Sequence, residues 1–200
     1  YAALYSNDTE PNDAYTSATS LSFSTNYYGH VGYYGNLTRD NEDYYKVTLP
    51  TDGKLFIIED SKISLNIGIE LYDQNGTTYI GNVSGKYNDT DTLKYNYLKA
   101  GTYYFKVYNW SNSYGSYTIK VLHTPNFYTN DTEPNDLTST AIATSIGSNN
   151  YGHLGHYGSG TTDYNDYYKI TLPSDGKLLI TETTKTSLNI GVDLYDQDGT

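Results

Sequence analysis

The heptapeptide Asn7-Asp8-Thr9-Glu10-Pro11-Asn12-Asp13 returns letter for letter at 130–136. Asp43-Tyr44-Tyr45-Lys46 returns as Asp166-Tyr167-Tyr168-Lys169, and Leu71-Tyr72-Asp73-Gln74 as Leu194-Tyr195-Asp196-Gln197. Every displacement is 123 residues (130 less 7, 166 less 43, 194 less 71), so no net insertion or deletion separates the copies. A period of that length is far too long for one coil of a solenoid and fits a whole domain per copy. It divides the chain into an N-terminal segment (1–6), a complete copy (7–123), a linker (124–129) containing Pro125, and a partial second copy (130–200).

Within each copy helical periodicity is nearly absent. Runs of β-branched and aromatic residues broken by Gly, Asn and Asp predict strands over 44–49, 54–59, 66–72, 93–98, 102–108 and 116–122, with a further short strand at 21–24. Asp52-Gly53 and Asn75-Gly76 read as tight hairpin turns. About seven or eight short antiparallel strands per copy imply an all-β, jelly-roll-like sandwich. Counterparts of 78–123 are not among the 200 residues. The second copy then lacks about three strands, and a sandwich with that gap exposes unpaired edges. Strands at 177–180 and 189–195 are therefore expected to find partners in identical neighbouring subunits or in a longer repeating chain.

Doubled tyrosines stand at 27–28, 33–34, 44–45 and 103–104. Adjacent strand residues point to opposite faces, so such a pair within a strand places one ring in the core and one on the outer face. The outward rings form a cross-strand ladder or, with Trp110, a platform for a ligand. Tyr supplies 26 of the 200 residues, which makes a core feasible although hydrophobic residues total only 36%. A formal charge of −11 repels phosphate backbones and anionic lipid, which disfavours nucleic acid and membrane partners, and no apolar run is long enough to span a bilayer. Cys is absent, so neither a disulfide nor a thiol nucleophile is available.

An acidic surface does favour cations. Asp8, Glu10 and Asn12 alternate along a stretch that Pro11 holds extended, so their oxygens face one side, and Asp13 follows at once. Asp40 and Asp43 bracket the entry to the strand at Tyr44. The same pattern recurs as Asp131, Glu133, Asn135, Asp136, Asp163 and Asp166. Clustered hard oxygen donors suit a hard cation that takes six to eight of them. An EF-hand is excluded, because Asp13 stands where its glycine belongs and Thr19 where its bidentate glutamate belongs. Taken singly, each acidic stretch also reads as a polar linker with Asx turns; the matched pair of distant carboxylates in both copies favours the metal.

Several motifs together resemble the bacterial pre-peptidase C-terminal domain, a family that includes the collagen-binding domains of clostridial collagenases. They are Asp8-x-Glu10-Pro11-Asn12-Asp13, Asp40-x-x-Asp43-Tyr44-Tyr45, Leu49-Pro50 with Asp52-Gly53, Leu71-Tyr72-Asp73 with Gly76, and Gly101-Thr102-Tyr103-Tyr104 with Gly115-x-Tyr117. The resemblance implies a non-catalytic jelly-roll sandwich appended to secreted enzymes and stabilised by calcium. Its implied ligands are Asp8, Glu10, Asn12, Asp13, Asp40 and Asp43, with carbonyls from 34–36 and Tyr44. Asp8 departs from the family, which usually carries Glu at that position.

No nucleophile elbow, zinc-protease helix, phosphate loop or dinucleotide fingerprint is present, and no carboxylate lies in an apolar run that would raise its pKa. The chain is read as no enzyme. His153 and His156 are spaced for a metal, yet Tyr33 occupies the matching place in the first copy. Sequons at Asn7, Asn36, Asn75, Asn82, Asn88, Asn109 and Asn130 fall mostly in predicted loops. Two functions compete for a secreted or cell-surface chain of this kind. One is a calcium-stabilised structural repeat, the self-associating subunit of an extracellular filament. The other is an accessory module of a secreted peptidase or other hydrolase that binds collagen, further extracellular matrix or polysaccharide.

Overall fold

The computed structural model describes residues 10–35, 38–62, 65–85, 90–126, 132–184 and 188–199. Among them lie eleven strands of the first copy: β1 (Thr19–Ser20), β2 (Asn26–Val31), β3 (Tyr34–Gly35), β4 (Thr38–Arg39), β5 (Glu42–Leu49), β6 (Gly53–Lys62), β7 (Ile67–Tyr72), β8 (Tyr79–Val83), β9 (Thr90–Leu98), β10 (Gly101–Asn109) and β11 (Gly115–Pro125). The second copy adds β12 (Ile142–Thr144), β13 (Tyr157–Gly158), β14 (Thr161–Thr162) and β15 (Tyr168–Ile170). No α-helix occurs among the described residues, only two 3-10 turns at Tyr15–Ser17 and Thr138–Thr140. No helix there is long and apolar enough to cross a membrane.

The chain divides into two compact units. The first comprises Tyr1–Thr129 with His153–Tyr164, the second Asn130–Gly152 with Asn165–Thr200. The first unit is a sandwich of a five-stranded sheet, ordered β1-β5-β10-β7-β8, and a six-stranded sheet, ordered β14-β13-β9-β6-β11-β2. Pairing is antiparallel except for β1 with β5 and β13 with β9.

Strict alternation builds the core. In β5 the inward positions are Asp43, Tyr45, Val47 and Leu49, and Glu42, Tyr44, Lys46 and Thr48 face outward. Leu55 and Ile57 of β6, Ile67, Ile69 and Leu71 of β7, Tyr103, Phe105 and Val107 of β10, and Tyr117, Ile119 and Val121 of β11 fill the space between the sheets. The doubled tyrosines resolve as expected within β5 and β10. Tyr45 is 3% exposed and Tyr103 fully buried, and their neighbours Tyr44 and Tyr104 are half-buried on the outer face.

Three local expectations are corrected. The strand expected at 21–24 lies earlier, at β1, because Ser24 takes a left-handed conformation (φ 62°) and its N–H reaches Val121 O at 2.8 Å, turning the chain. Asp52-Gly53 closes no hairpin. It carries the chain from β5 in one sheet to β6 in the other, and the Asp52 carboxylate instead receives the Ala100 N–H at 2.5 Å. The stretches 177–180 and 189–195 form no strand, and Leu179 and Leu194 are 87% and 72% exposed. In the first copy the matching strands β6 and β7 are held by β8 to β11, whose counterparts the 200 residues do not contain. Asn75-Gly76, by contrast, closes the β7–β8 hairpin, with Gly76 at φ +73°.

The second unit repeats part of this pattern. β12 pairs with β15 in parallel, Ile142 opposite Tyr168, as β1 pairs with β5, Thr19 opposite Tyr45. Those partners are again 123 positions apart (142 less 19, 168 less 45).

Candidate cation site

The first acidic motif is fixed where β5 begins. Asn12, 1% exposed, accepts the Tyr44 N–H at 2.8 Å through its carbonyl, and its own N–H donates to Glu10 Oε2 at 3.2 Å. Asp40 is held by a hairpin. β3 pairs with β4 (Tyr34 opposite Arg39), Gly32 N–H donates to Asp40 O at 2.6 Å, and Asp40 N–H donates to Tyr33 O at 2.9 Å. Asp43 enters from β5 on the core side. These placements bring carboxylate oxygens of Glu10, Asp40 and Asp43 within 4.8 Å of one another.

Asp43 is the unusual member. It is fully buried in the row of Tyr45, Val47 and Leu49, and a charge there needs compensation. Part of it comes from Tyr117, whose hydroxyl donates to Asp43 Oδ2 and lies 2.7 Å from the Tyr45 hydroxyl. Burial, and then the carboxylate beside it, push the Tyr117 phenol well above its ordinary pKa, so the donor keeps its proton through neutral pH. Three carboxylate oxygens gathered this closely could hold a cation such as calcium.

The remaining sequence candidates distribute as follows. Asp13 is exposed and stands outside the three-carboxylate group. Asp8 and Asp131 lie outside the described residues, as does Asn36 of the expected carbonyl set. In the second unit Asn135, fully buried, repeats the local geometry: its carbonyl accepts the Tyr167 N–H at 2.9 Å and its N–H reaches Glu133 Oε2 at 3.2 Å. Asp166 is half-buried and Asp136 partly exposed in that unit, whereas Asp163, 1% exposed, belongs to the first. The Tyr117 hydroxyl was not anticipated as a partner of Asp43, nor the Tyr45 hydroxyl as a partner of Tyr117. The available signal was their shared inward phase with Asp43 across the two sheets.

Residues 41–109 match the family model of the bacterial pre-peptidase C-terminal domain. Among solved structures, the pre-peptidase C-terminal domain of collagenase from Bacillus anthracis is 20% identical, with 57% of this chain and 99% of that one covered and a TM-score of 0.45. The Yersinia pseudotuberculosis-derived mitogen is 15% identical, covering 53% of this chain and 90% of its own, with a TM-score of 0.36. The C-terminal CBM6 of the laminarinase LamC from Zobellia galactanivorans is 24% identical, covering 40% and 68%, with a TM-score of 0.26. No curated protein matches the chain.

The stretch 41–109 carries a second concentration of polar chemistry on the outer face of the five-stranded sheet. Lys106 Nζ lies 2.9 Å from Glu70 Oε2 and 3.3 Å from Glu42 Oε2, with the rings of Tyr44, Tyr72 and Tyr108 5.3 to 6.0 Å away. Burial alone would lower the lysine pKa, but the bond to Glu70 and the surrounding negative groups carry it upward. Burial would raise Glu70, and the Tyr72 hydroxyl with Lys106 brings it down instead. Tyr108 lies over Gly68, where any side chain would collide with the ring, and Trp110 extends the row, 62% exposed with its ring 5.7 Å from Tyr108.

Proposed function

We propose that this chain is a non-catalytic accessory module of an exported protein, stabilised by calcium and binding an extracellular polymer, either a polysaccharide or a matrix protein. The observation that carries the reading is the match of residues 41–109 to the pre-peptidase C-terminal family. It favours an accessory module over a filament subunit, the other expectation from the duplication. Glu10, Asp40 and Asp43 would hold the ion, with Asn12 positioning Glu10. A bound calcium would neutralise converging carboxylates and tie the N-terminal motif, the β3–β4 hairpin and the start of β5 into one corner. The outer row of Tyr44, Tyr72, Tyr108 and Trp110 supplies flat faces with polar edges, the kind of surface on which sugar rings or an extended polypeptide stack.

The test is sedimentation of the protein with insoluble polysaccharides and with fibrillar collagen, in calcium and in chelator. Retention on one polymer class, reduced several-fold by Trp110→Ala with unchanged melting, supports the reading. Equal recovery in the supernatant with and without every polymer overturns the binding role.

A further inference from the structure

The β3–β4 hairpin of the first copy and the β13–β14 hairpin of the second are one element built twice. Tyr34 pairs with Arg39 and Gly35 with Thr38; Tyr157 pairs with Thr162 and Gly158 with Thr161. At the base of the first, Gly32 N–H donates to Asp40 O (2.6 Å) and Asp40 N–H to Tyr33 O (2.9 Å). At the base of the second, Gly155 N–H donates to Asp163 O (2.7 Å) and Asp163 N–H to His156 O (2.9 Å). Both entry glycines take positive φ, +89° at Gly32 and +83° at Gly155.

The surroundings of the two tips differ. The second hairpin is part of the first unit, where β13 extends the six-stranded sheet at Leu98. Lys99 N–H donates to Tyr157 O at 2.8 Å, and the Tyr103 hydroxyl lies 3.0 Å from the same oxygen. Asp73, 1% exposed, accepts the Gly160 N–H at 2.6 Å and the Tyr157 hydroxyl at 3.3 Å. Gly158 sits so close that a Cβ there would stand 2.9 Å from Lys99 Cβ and 3.1 Å from the Tyr103 hydroxyl. A buried carboxylate and a backbone edge thus form a socket for a Tyr-Gly tip. The first copy carries the same Tyr-Gly tip, yet Tyr34 is 78% exposed.

We propose that the β3–β4 hairpin is a docking element for another copy of this repeat, its Tyr34-Gly35 tip entering that copy's Asp73-type socket as Tyr157-Gly158 enters this one. The recognition chemistry is a phenol hydroxyl donated to a buried carboxylate, a strand-edge carbonyl accepting an N–H, and a glycine where no side chain fits. The second copy repeats the socket's acidic turn as Asp196-Gln197, so the tip and this part of the socket both recur with the 123-residue period. Tyr33 replaces His156, so that imidazole's contacts are not repeated, and Leu37 stands where Gly160 donates its backbone N–H to Asp73; the docked tip relies on the tyrosine and glycine. Because Asp40 closes the hairpin base, the tip is presented by the same residue that faces the cation site.

The full 200-residue chain tests this directly. Its own socket is filled, so the unaltered protein is expected to sediment as a monomer. Tyr157→Ala with Gly158→Val empties the socket, and the variant is expected to self-associate with rising concentration up to about 1 mM, since a contact this small between separate chains is weak. Adding Tyr34→Ala, or Asp73→Ala, should return it to a monomer. A variant that stays monomeric throughout overturns the proposal, as does association that persists after Tyr34→Ala. Should the double variant lose its β-sheet signal by circular dichroism, Gly158→Ala alone, which keeps Tyr157, takes its place in the same sedimentation experiment. Association that Tyr34→Ala abolishes then supports the docking, and a persistent monomer overturns it.

Discussion

Tyr117→Phe removes one oxygen and tests how the buried carboxylate is held. The ring is fully buried, and the replacement keeps its volume, so no cavity opens. Two interactions go: the hydroxyl donated to Asp43 Oδ2, and the 2.7 Å contact with the Tyr45 hydroxyl. Depriving a buried carboxylate of a charge-assisted donor costs about 2–3 kcal/mol, and the neutral hydroxyl pair adds about 1 kcal/mol. The sum of about 3–4 kcal/mol corresponds to a fall in Tm of roughly 8–15 °C for a unit of this size. Tyr45→Phe breaks the neutral pair and keeps the Tyr117 hydroxyl on Asp43, and it serves as the comparison, at about 1 kcal/mol for that pair. Thermal and urea unfolding followed by circular dichroism at pH 7, in chelator, measure both. Repeating the pair in excess calcium should narrow the gap, because an ion on Asp43 takes over part of the compensation. If Tyr117→Phe in chelator is no worse than Tyr45→Phe, the hydroxyl does not support the carboxylate and the reasoning is refuted.

Calcium at about 100 times its Kd should raise stability by about 2.7 kcal/mol over chelator, and Asp40→Asn with Glu10→Gln should abolish that difference in calorimetry. Within β10, Tyr103→Ala should cost about 3–5 kcal/mol and Tyr104→Ala about 1 kcal/mol, since one ring is fully buried and the other packs edge-on against Tyr15 at the surface; equal losses would show the strand phase to be wrong. His156 has its pKa lowered to about 4, by burial first and then by His153. Between the unfolded value of 6.5 and about 4 the unfolded chain binds a proton that the folded one refuses, so stability should fall as pH drops through that window. His156→Gln should flatten this part of a Tm-against-pH profile, and an unchanged slope would remove the histidine as its cause.

The sequence made the strand centres visible wherever one face was buried against the opposite sheet. β5 and β6 alternate throughout their described residues, β10 does so from Thr102 to Tyr108 and β11 from Tyr117 to Leu122, and each predicted run lies inside the observed strand. β2 was missed because its two tyrosines are both half-buried and Gly29 interrupts the alternation. That glycine answers to a partner far away in the chain: a side chain there would collide with the Tyr117 ring and the Tyr45 hydroxyl. β8 is an edge strand with no fully buried position, so no period-two signal marks it. Among the site residues, Glu10, Asp40 and Asp43 were legible from the duplicated spacing, whereas the hydroxyls closing on Asp43 depend on inter-sheet register, which spacing along one strand does not encode.

Asp43 and Asp73 are both buried at the margin of the sandwich core, and each is met by a phenol hydroxyl. β5 and β7 run on either side of β10, where Asp43 stands opposite Val107 and Tyr72, just before Asp73, stands opposite Tyr104. The two acids therefore sit toward opposite ends of the same sheet. At one end the compensation comes from a phenol, and a cation bound among Glu10, Asp40 and Asp43 would add to it. At the other it comes from the amide and phenol of a hairpin belonging to the next copy in the sequence. An apolar pair at these positions would pack at least as well and be free of desolvation cost. What the acids add is dependence on a partner: a hairpin meets Asp73, and a bound cation would meet Asp43. Because Asp40 belongs to the three-carboxylate group and also closes the β3–β4 hairpin, a cation bound there would bear on how the hairpin is presented.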